Sequence, residues 1–297
     1  MHASTLQLSP DTVPSPFITS DGNHLVVLDW PVPDLAAPRA VVLLVHGLGE
    51  HGWLYNALAM ELNAVGFAVR AYDQRGHGES SGKTGCIPRH DTLVRDLDDL
   101  IEDTHASLCA RHNTPLVVMG QGLGAIVAGV WAQKADSNLG RAKRSHVDSL
   151  VLSSPIFQTQ GGWTQSAMQA LLPDWFSGLT LTAGMEPELL FRDEKTVRNY
   201  KADPLVHNRM SPLLWRFMSE GGAQLLKEAP TWRLPTLLLF AGMDAVAQTA
   251  ATHRFARHAP EGKLEVLCFE DFYHHLFQDV YRHEAVDALL HWLDDRY

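Results

Sequence analysis

The sequence of 297 residues predicts an α/β fold, with a mostly parallel central sheet between two layers of helices. Short apolar runs rich in β-branched residues recur along it, which is typical of strands that a parallel sheet buries on both faces. Segments with helical periodicity separate these runs. Because strands that alternate with helices are joined by right-handed crossovers, the helices are expected to flank the sheet.

The predicted elements follow in order from the amino end. The first is a β-hairpin over residues 17–30, with a turn at Asp21 and Gly22. Six further strands are predicted at residues 40–45, 67–71, 116–119, 147–152, 236–240 and 264–268. Five helices are predicted at residues 53–63, 92–111, 123–134, 249–258 and 284–293.

Residues 155–230 interrupt this alternation. They contain no strand-like run, and helical patterns occur only around residues 166–172, 188–200 and 212–228. An insertion between two strands of such a sheet predicts a helical cap, or lid, over the carboxyl ends of the strands, where open α/β sheets bind ligands. We therefore expect a core of residues 1–154 and 231–297 and a cap of residues 155–230.

Composition excludes several classes of function. There are 24 Lys and Arg residues against 34 Asp and Glu residues, a formal charge of -10, and an acidic surface repels nucleic acid. No apolar run approaches the roughly 20 residues of a transmembrane helix, and the first residues lack the features of a secretory signal. Three dispersed cysteines, Cys86, Cys109 and Cys268, indicate reduced thiols. The expected location is the cytoplasm.

Glycine-rich turns directly follow two predicted strands. Residues 46–49, His-Gly-Leu-Gly, permit backbone N–H groups to point inward at an anion, although a tight turn without a ligand also fits them. Residues 120–124, Gly-Gln-Gly-Leu-Gly, run from a strand into a helix, with small residues on both sides of position 122. A nucleophile elbow requires this pattern and carries serine at that position, where this chain has Gly122.

An acidic residue and a histidine follow the last two predicted strands. Asp244 lies just beyond residues 236–240, and His274 lies just beyond residues 264–268, so both are expected at the carboxyl edge of the sheet. The chain order of elbow, Asp and His is one of the orders in which Ser-His-Asp triads occur. His275 is the nearest competitor of His274.

With these motifs the chain resembles the α/β-hydrolase superfamily, and within it the monoacylglycerol-lipase and lysophospholipase-like serine hydrolases. The matching stretches are residues 46–51, 72–80, 120–124, 203–206, 242–244 and 273–274. The resemblance implies that Asp244 and His274 are triad partners and that the backbone N–H groups of Leu48 and Leu123 form the oxyanion hole. It also implies small-molecule ester substrates with a long acyl chain and a small polar head.

The departure from the family lies at Gly122. Glycine has no side-chain oxygen, so no acyl-enzyme can form there, and loss of the serine from such a triad costs on the order of 10⁶ in kcat. The predicted function is that of a carboxylic ester hydrolase of the monoacylglycerol or lysophospholipid type, impaired at Gly122. An engineered change and a natural loss both fit the sequence. The alternative is a protein that binds an acyl ligand or a partner without turning it over.

Other functional interpretations of these motifs have less support in the sequence. Gly120, Gly122 and Ala125 also fit a dinucleotide-binding fingerprint, but the next strand ends without the acidic residue that would bind the ribose. No cofactor is therefore expected. The histidines form no metal-binding motif of the His-Glu-x-x-His kind, so no metal is expected. Ser153 and Ser154 are candidate replacement nucleophiles by chain order, as is Cys86, although none of the three lies in an elbow.

Two charged features are predicted to be structural. Residues 73–80 are expected to form a rigid loop cross-linked by Asp and Arg side chains. The second helix carries a cluster of carboxylates that we interpret as a solvated acidic face. The members of this cluster are Asp96, Asp98, Asp99, Glu102 and Asp103.

The predicted cap carries a broad apolar face that includes Trp163 and Met168. Bulky aromatic residues with an adaptable methionine suit an alkyl chain, so Trp163 and Met168 are the predicted substrate-binding residues. Packing of this face on the core explains the same pattern. The cap is also a candidate for transient contact with a membrane surface.

Overall fold

The computed structural model describes residues 12–32, 37–134, 146–160 and 179–297. Within them, eight strands form the main sheet and two short strands form a second one. The strands are β1 Ser15–Ile18, β2 His24–Trp30, β3 Val41–Val45, β4 Ala68–Tyr72, β5 Leu116–Gln121, β6 Ser149–Ser153, β7 Leu181–Thr182, β8 Arg209–Met210, β9 Thr236–Ala241 and β10 Leu264–Phe269. The helices are α1 Asn56–Ala64, α2 Thr92–Thr104, α3 Leu123–Lys134, α4 Pro187–Leu190, α5 Glu194–Ala202, α6 Pro212–Glu228, α7 Thr249–His258 and α8 Arg282–Asp294.

The main sheet has the strand order β1-β2-β4-β3-β5-β6-β9-β10. The pairs β1-β2 and β2-β4 are antiparallel, and the other five pairs are parallel. Alternate residues of β3 enter different apolar clusters, Val41 and Leu43 on one face and Val42 and Leu44 on the other. The predicted mostly parallel sheet, covered on both faces, is confirmed.

The strand β10 and the end of α2 differ from the prediction. Residues 264–268 were expected to be buried on both faces, but β10 is an edge strand with only β9 beside it, and Val266 is 37% exposed. Residues 92–111 were expected to form one α-helix. Instead α2 ends at Thr104, and a π-helical turn follows over His105–Cys109. All three cysteines are free thiols, as predicted.

Residues 155–230, which we call the insertion, connect β6 to β9. The prediction that they contain no strand is wrong, because β7 and β8 pair antiparallel; strands of two residues are too short to leave an alternating pattern. The predicted helix at 188–200 is divided into α4 and α5, and the Asp193 carboxylate caps α5 by accepting from Thr196 N. The predicted helix at 212–228 is confirmed as α6. The predicted piece at 166–172 lies outside the described residues.

At least four of the five acidic residues of the cluster on α2 make tertiary contacts, and the predicted solvated face is wrong for Asp96, which is buried. Asp96 is buried and pairs with Arg75 at 2.7 Å, and Asp103 pairs with Arg70 at 2.6 Å. Asp99 accepts a hydrogen bond from the Ser20 backbone N–H, and Asp98 accepts one from the Trp131 indole. Their partners come from distant parts of the sequence, which periodicity along one helix does not show.

The loop after β4 is held as the sequence predicts. Asp73 Oδ1 accepts from Gly52 N, and its Oδ2 accepts from Glu79 N, both at 2.8 Å. Arg75 donates to Asp21 and to the buried Asp96. In the part of the chain that the structure describes, no helix is long and apolar enough to cross a membrane.

Candidate active site

Gly122 lies at the turn between β5 and α3, directly beyond the carboxyl end of a central strand. Its N–H donates to Ser153 O at 2.9 Å, and its carbonyl accepts from Ile126 N in the first turn of α3. Its φ of +54° lies in the left-handed region, which glycine adopts without steric penalty. The strand-turn-helix geometry predicted for a nucleophile elbow is therefore present.

The neighbouring glycines allow this turn to be tight. A Cβ added at Gly120 would lie 2.4 Å from Gly124 O, and one added at Gly124 would lie 2.1 Å from Val45 O. Both distances are far below van der Waals contact with backbone atoms. The small residues on each side of position 122 are thus required by close packing of β5, α3 and β3.

Asp244 and His274 form the hydrogen bond that the sequence predicts. Asp244 Oδ2 lies 2.8 Å from His274 Nδ1, and both side chains are 3% exposed. The other carboxylate oxygen, Oδ1, accepts from Val246 N and Ala247 N, each at 2.8 Å. The Gln121 side-chain amide donates to His274 O. These contacts fix the orientation of the imidazole ring.

Burial and charge act in opposite directions on this pair. Burial lowers the pKa of His274, but the charge and hydrogen bond of Asp244, with the charge of Glu50, raise it above the usual value. Burial raises the pKa of Asp244, but His274 and the two backbone N–H donors lower it below the usual value. The carboxylate is therefore ionised at neutral pH and stabilises a protonated His274.

The second ring nitrogen of His274 faces position 122. A Cβ built on Gly122 would lie 3.1 Å from His274 Nε2. The next nearest atoms outside the adjoining residues are Ile156 Cδ1 at 3.8 Å and Gly47 Cα at 3.9 Å. The elbow, the histidine and the loop that follows β3 therefore meet at one point.

The predicted oxyanion residues adjoin this point and are buried. Leu123 is the first residue of α3, where backbone N–H groups have no partner within the helix. Leu48 lies in the loop after β3, where Glu50 Oε2 accepts from Gly47 N at 3.0 Å. The structure thus brings Leu48 and Leu123 close to Gly122, although their role in binding an oxyanion remains a prediction.

The insertion is bonded directly to the loop that carries Leu48. His207 N donates to Gly49 O at 3.0 Å, and a Cβ at Gly49 would lie 1.9 Å from His207 O. In addition, His51 Nε2 lies 3.0 Å from Asp203 Oδ2. Residues 203–207 of the insertion and the loop after β3 therefore form one connected unit.

His275, the competitor of His274, has a different partner. Its Nε2 lies 2.9 Å from Glu50 Oε1, and both side chains are buried. The Tyr55 hydroxyl donates to Glu50 Oε2 at 2.5 Å. Burial raises the pKa of Glu50, but the neighbouring His275 and the hydrogen bond from Tyr55 together lower it to about 2. Sequence reasoning did not identify this network, although Glu50 lies within the matched stretch 46–51.

The replacement nucleophiles considered from the sequence are poorly suited to that role. Cys86 is buried, and burial raises the pKa of its thiol, which disfavours the thiolate. Ser153 and Ser154 are buried at the end of β6, and no base among the described residues is hydrogen-bonded to either hydroxyl. The described residues also contain no group of three or more His, Cys, Asp and Glu placed to hold a metal ion.

A pocket of about 220 Å³ lies between Leu48 and the insertion. Its apolar wall includes Met185, Leu190, Tyr200 and Val206. A larger cavity of about 540 Å³ is lined by Ala68 and Val69 at the start of β4, at the opposite edge of the sheet from the Asp244–His274 pair. The predicted substrate-binding residues Trp163 and Met168 lie outside the described residues.

Known proteins are similar to this chain in sequence and in fold. The family model described as serine aminopeptidase, S33, matches residues 36–280. A monoacylglycerol lipase from Mycolicibacterium smegmatis is 26% identical over 92% of this chain and 94% of its own length. An abhydrolase domain-containing protein from Dictyostelium discoideum is 30% identical over 95% of this chain, which spans only 29% of that protein.

Solved structures agree with the sequence comparison. The crystal structure of a Paleococcus ferrophilus monoacylglycerol lipase superimposes with a TM-score of 0.79 and 28% identity, covering 91% of this chain and 98% of that one. The sheet order, the tight turn at residues 120–124 and the family match thus lead to one assignment. The chain belongs to the serine aminopeptidase S33 family and has the α/β-hydrolase fold of the monoacylglycerol lipases.

Proposed function

We propose that this site binds carboxylic esters of the monoacylglycerol or lysophospholipid type and that, with Gly122 in place, it does not form an acyl-enzyme. The observation that carries the proposal is the position of His274 Nε2, 3.1 Å from where a Cβ of residue 122 would lie, with the ring oriented by Asp244. A base is thus aimed at the nucleophile position, but glycine supplies no oxygen there.

We assign roles to the two backbone N–H groups, the insertion and the pocket from their positions around Gly122. The N–H groups of Leu48 and Leu123 would bind the carbonyl oxygen as it becomes negative. The insertion, residues 155–230, would act as the cap, and the pocket between Leu48 and the insertion would accept part of the ester. The ester class is supported by the similarity of the chain to the monoacylglycerol lipases of Mycolicibacterium smegmatis and Paleococcus ferrophilus.

The test is to restore the nucleophile with Gly122→Ser. We expect this variant to react with a fluorophosphonate probe and to hydrolyse a short p-nitrophenyl ester several orders of magnitude faster than the unchanged chain, because triad members act as a unit. The imidazole needs to move by only a few tenths of an ångström to accommodate the new Cβ.

Gly122→Ala is the matched control, since it adds the Cβ and the strain of positive φ, about 1 kcal/mol, without a hydroxyl. It should be neither labelled nor activated. The family's description names a peptidase. Hydrolysis of an aminoacyl p-nitroanilide by Gly122→Ser, compared with hydrolysis of the ester, tests for that activity. A folded Gly122→Ser protein that is neither labelled nor active on the ester would contradict the proposal.

The alternative is a protein that binds an acyl ligand without chemistry, and Gly122 itself is the observation that favours it. In that case a non-hydrolysable monoalkylglycerol ether should bind to the unchanged chain, and Gly122→Ser should not create esterase activity. Calorimetric titration with the ether distinguishes the two functions when combined with the activity of the serine variant.

A further inference from the structure

Gly122 leaves a small space in front of a correctly oriented base. We infer that this space lets His274 activate a water molecule directly, so that the unchanged chain hydrolyses esters slowly in a single displacement, without a covalent intermediate. The inference rests on the proposed function for its ester site but adds a reaction that does not use residue 122 as a nucleophile.

The geometry around position 122 fits a water molecule. A water oxygen cannot occupy the Cβ position, because that point lies at bonding distance from Cα. We infer that it lies well beyond this point, in van der Waals contact with the Gly122 Cα at roughly 3.3 Å and about 2.8 Å from His274 Nε2, a normal hydrogen bond. The next nearest atoms, Ile156 Cδ1 and Gly47 Cα, lie 3.8 and 3.9 Å from the Cβ position, which is ordinary van der Waals contact and not a clash.

The tautomer of neutral His274 supports its role as a base toward water. Asp244 Oδ2 accepts the Nδ1 proton, which leaves Nε2 of the neutral ring as the acceptor toward position 122. The charges that face this ring come from Asp244, beyond β9, and from Glu50, in the loop after β3, and both are negative. They stabilise the imidazolium that forms when the base takes a proton from water.

The reaction is balanced with these groups alone. The water oxygen bonds to the ester carbonyl carbon as its proton moves to His274 Nε2, and the carbonyl π electrons move onto oxygen between the N–H groups of Leu48 and Leu123. When the carbonyl re-forms, the bond to the alcohol oxygen breaks, and that oxygen takes the proton from Nε2. One ester and one water give one acid and one alcohol.

An alanine at position 122 would not permit this route. Its methyl group would lie 3.1 Å from His274 Nε2 and would occupy the approach that water needs. Gly122→Ala therefore removes the water while retaining the base, and His274→Ala removes the base while retaining the space. General-base catalysis typically contributes 10²- to 10⁴-fold, so each change should lower the rate by at least about 100-fold.

The experiment is a double-mutant cycle on p-nitrophenyl butyrate with the full-length chain, His274→Ala, Gly122→Ala and the double variant. Every sample is first treated with a fluorophosphonate, which inactivates contaminating serine esterases but has no serine to attack at position 122. The unchanged chain should retain its hydrolysis, each single variant should lose it by about 100-fold, and the double variant should be no slower than either single one. Thermal unfolding verifies that all four proteins are folded.

Three outcomes would overturn the inference. The activity of the unchanged chain could vanish after fluorophosphonate treatment, or His274→Ala could leave that activity unaltered. Alternatively, Gly122→Ala could hydrolyse the ester as fast as the unchanged chain. The Gly122→Ser experiment separates these failures from failure of the proposed function. If the serine variant is labelled and active while the unchanged chain shows no hydrolysis dependent on His274, only the water reaction is wrong.

Discussion

Two histidines that are adjacent in the chain each face a buried carboxylate, and the two pairs differ in what else they contact. Asp244 orients His274 through Nδ1, and Nε2 remains directed at position 122. The carboxylate of Glu50 contacts His275, and it also accepts from Gly47 N and the Tyr55 hydroxyl.

The comparison shows that a buried carboxylate beside a histidine does not by itself identify a base. What distinguishes His274 is a ring nitrogen aimed at the elbow. His275 instead packs against the insertion, where its ring centroid lies 4.6 Å from that of Phe191 and its backbone N–H donates to Leu190 O. We therefore expect the Asp244–His274 pair to control rate and the Glu50–His275 pair to control stability.

The largest expected effect is on rate. In the Gly122→Ser protein, Asp244→Asn should lower kcat on a p-nitrophenyl ester by about 10⁴, because an amide does not hold the imidazole in the required tautomer or stabilise its protonated form. The melting temperature shows whether the variant is folded. A loss of less than tenfold in a folded protein would assign the orienting role to another carboxylate, for which Glu50, whose charge raises the pKa of His274, is the candidate.

The second effect is on stability. Glu50→Gln should lower the free energy of unfolding at pH 7 by about 3 kcal/mol, because a neutral amide replaces a buried carboxylate that accepts from Gly47 N and the Tyr55 hydroxyl and contacts His275. The matched control is Glu61→Gln, which removes a partly exposed ion pair with Arg282 and should cost at most about 1 kcal/mol. Urea unfolding measures both, and equal losses would show that burial does not distinguish the two pairs.

The loss of stability caused by Glu50→Gln depends on pH. The pKa of Glu50 is about 2 in the folded protein against an ordinary value of 4.5. A carboxyl group with a lowered pKa stabilises the fold above its unfolded value, and this contribution is lost as the pH falls toward the folded value. The difference in stability between the unchanged chain and Glu50→Gln should therefore decrease as the pH falls below about 4.5 toward 2.

The smallest effect is expected from Tyr55→Phe. This substitution removes only the hydroxyl that donates to Glu50 Oε2, while Gly47 N and His275 still face the carboxylate. A hydrogen bond to a charged group contributes about 2 kcal/mol, so the loss should be smaller than that of Glu50→Gln. Thermal unfolding of the two variants side by side gives the order, and a larger loss for Tyr55→Phe would mean that the hydroxyl, not His275, is the main partner of Glu50.

The sequence was sufficient to predict the parts that depend on local chemistry. β-branched runs such as residues 41–45 mark buried strands, and the glycines around position 122 mark a turn that only small residues can form. Asp244 and His274 could be paired in advance because each follows a parallel strand, and such strands end at one edge of the sheet. The site residues on the sheet therefore followed from strand order.

The remaining contacts depend on distances in the fold that one sequence does not contain. The partners of the buried Asp96 and Glu50, Arg75 and His275, lie 21 and 225 residues away in the chain, and no periodicity connects them. The two-residue strand Leu181–Thr182 was missed because its pairing with β8 arises from the fold of the insertion. Trp163 and Met168 remain predictions.

The hydrogen bonds between the insertion and the loop after β3 have a consequence for chimeric proteins. His207 N donates to Gly49 O, and the Asp203 carboxylate contacts His51. An insertion transplanted from a relative would therefore replace these contacts with the loop that carries Leu48. A graft that changes acyl preference without disturbing the loop would therefore keep residues 203–207 from the recipient. Its junctions would lie before Asp203 and after His207.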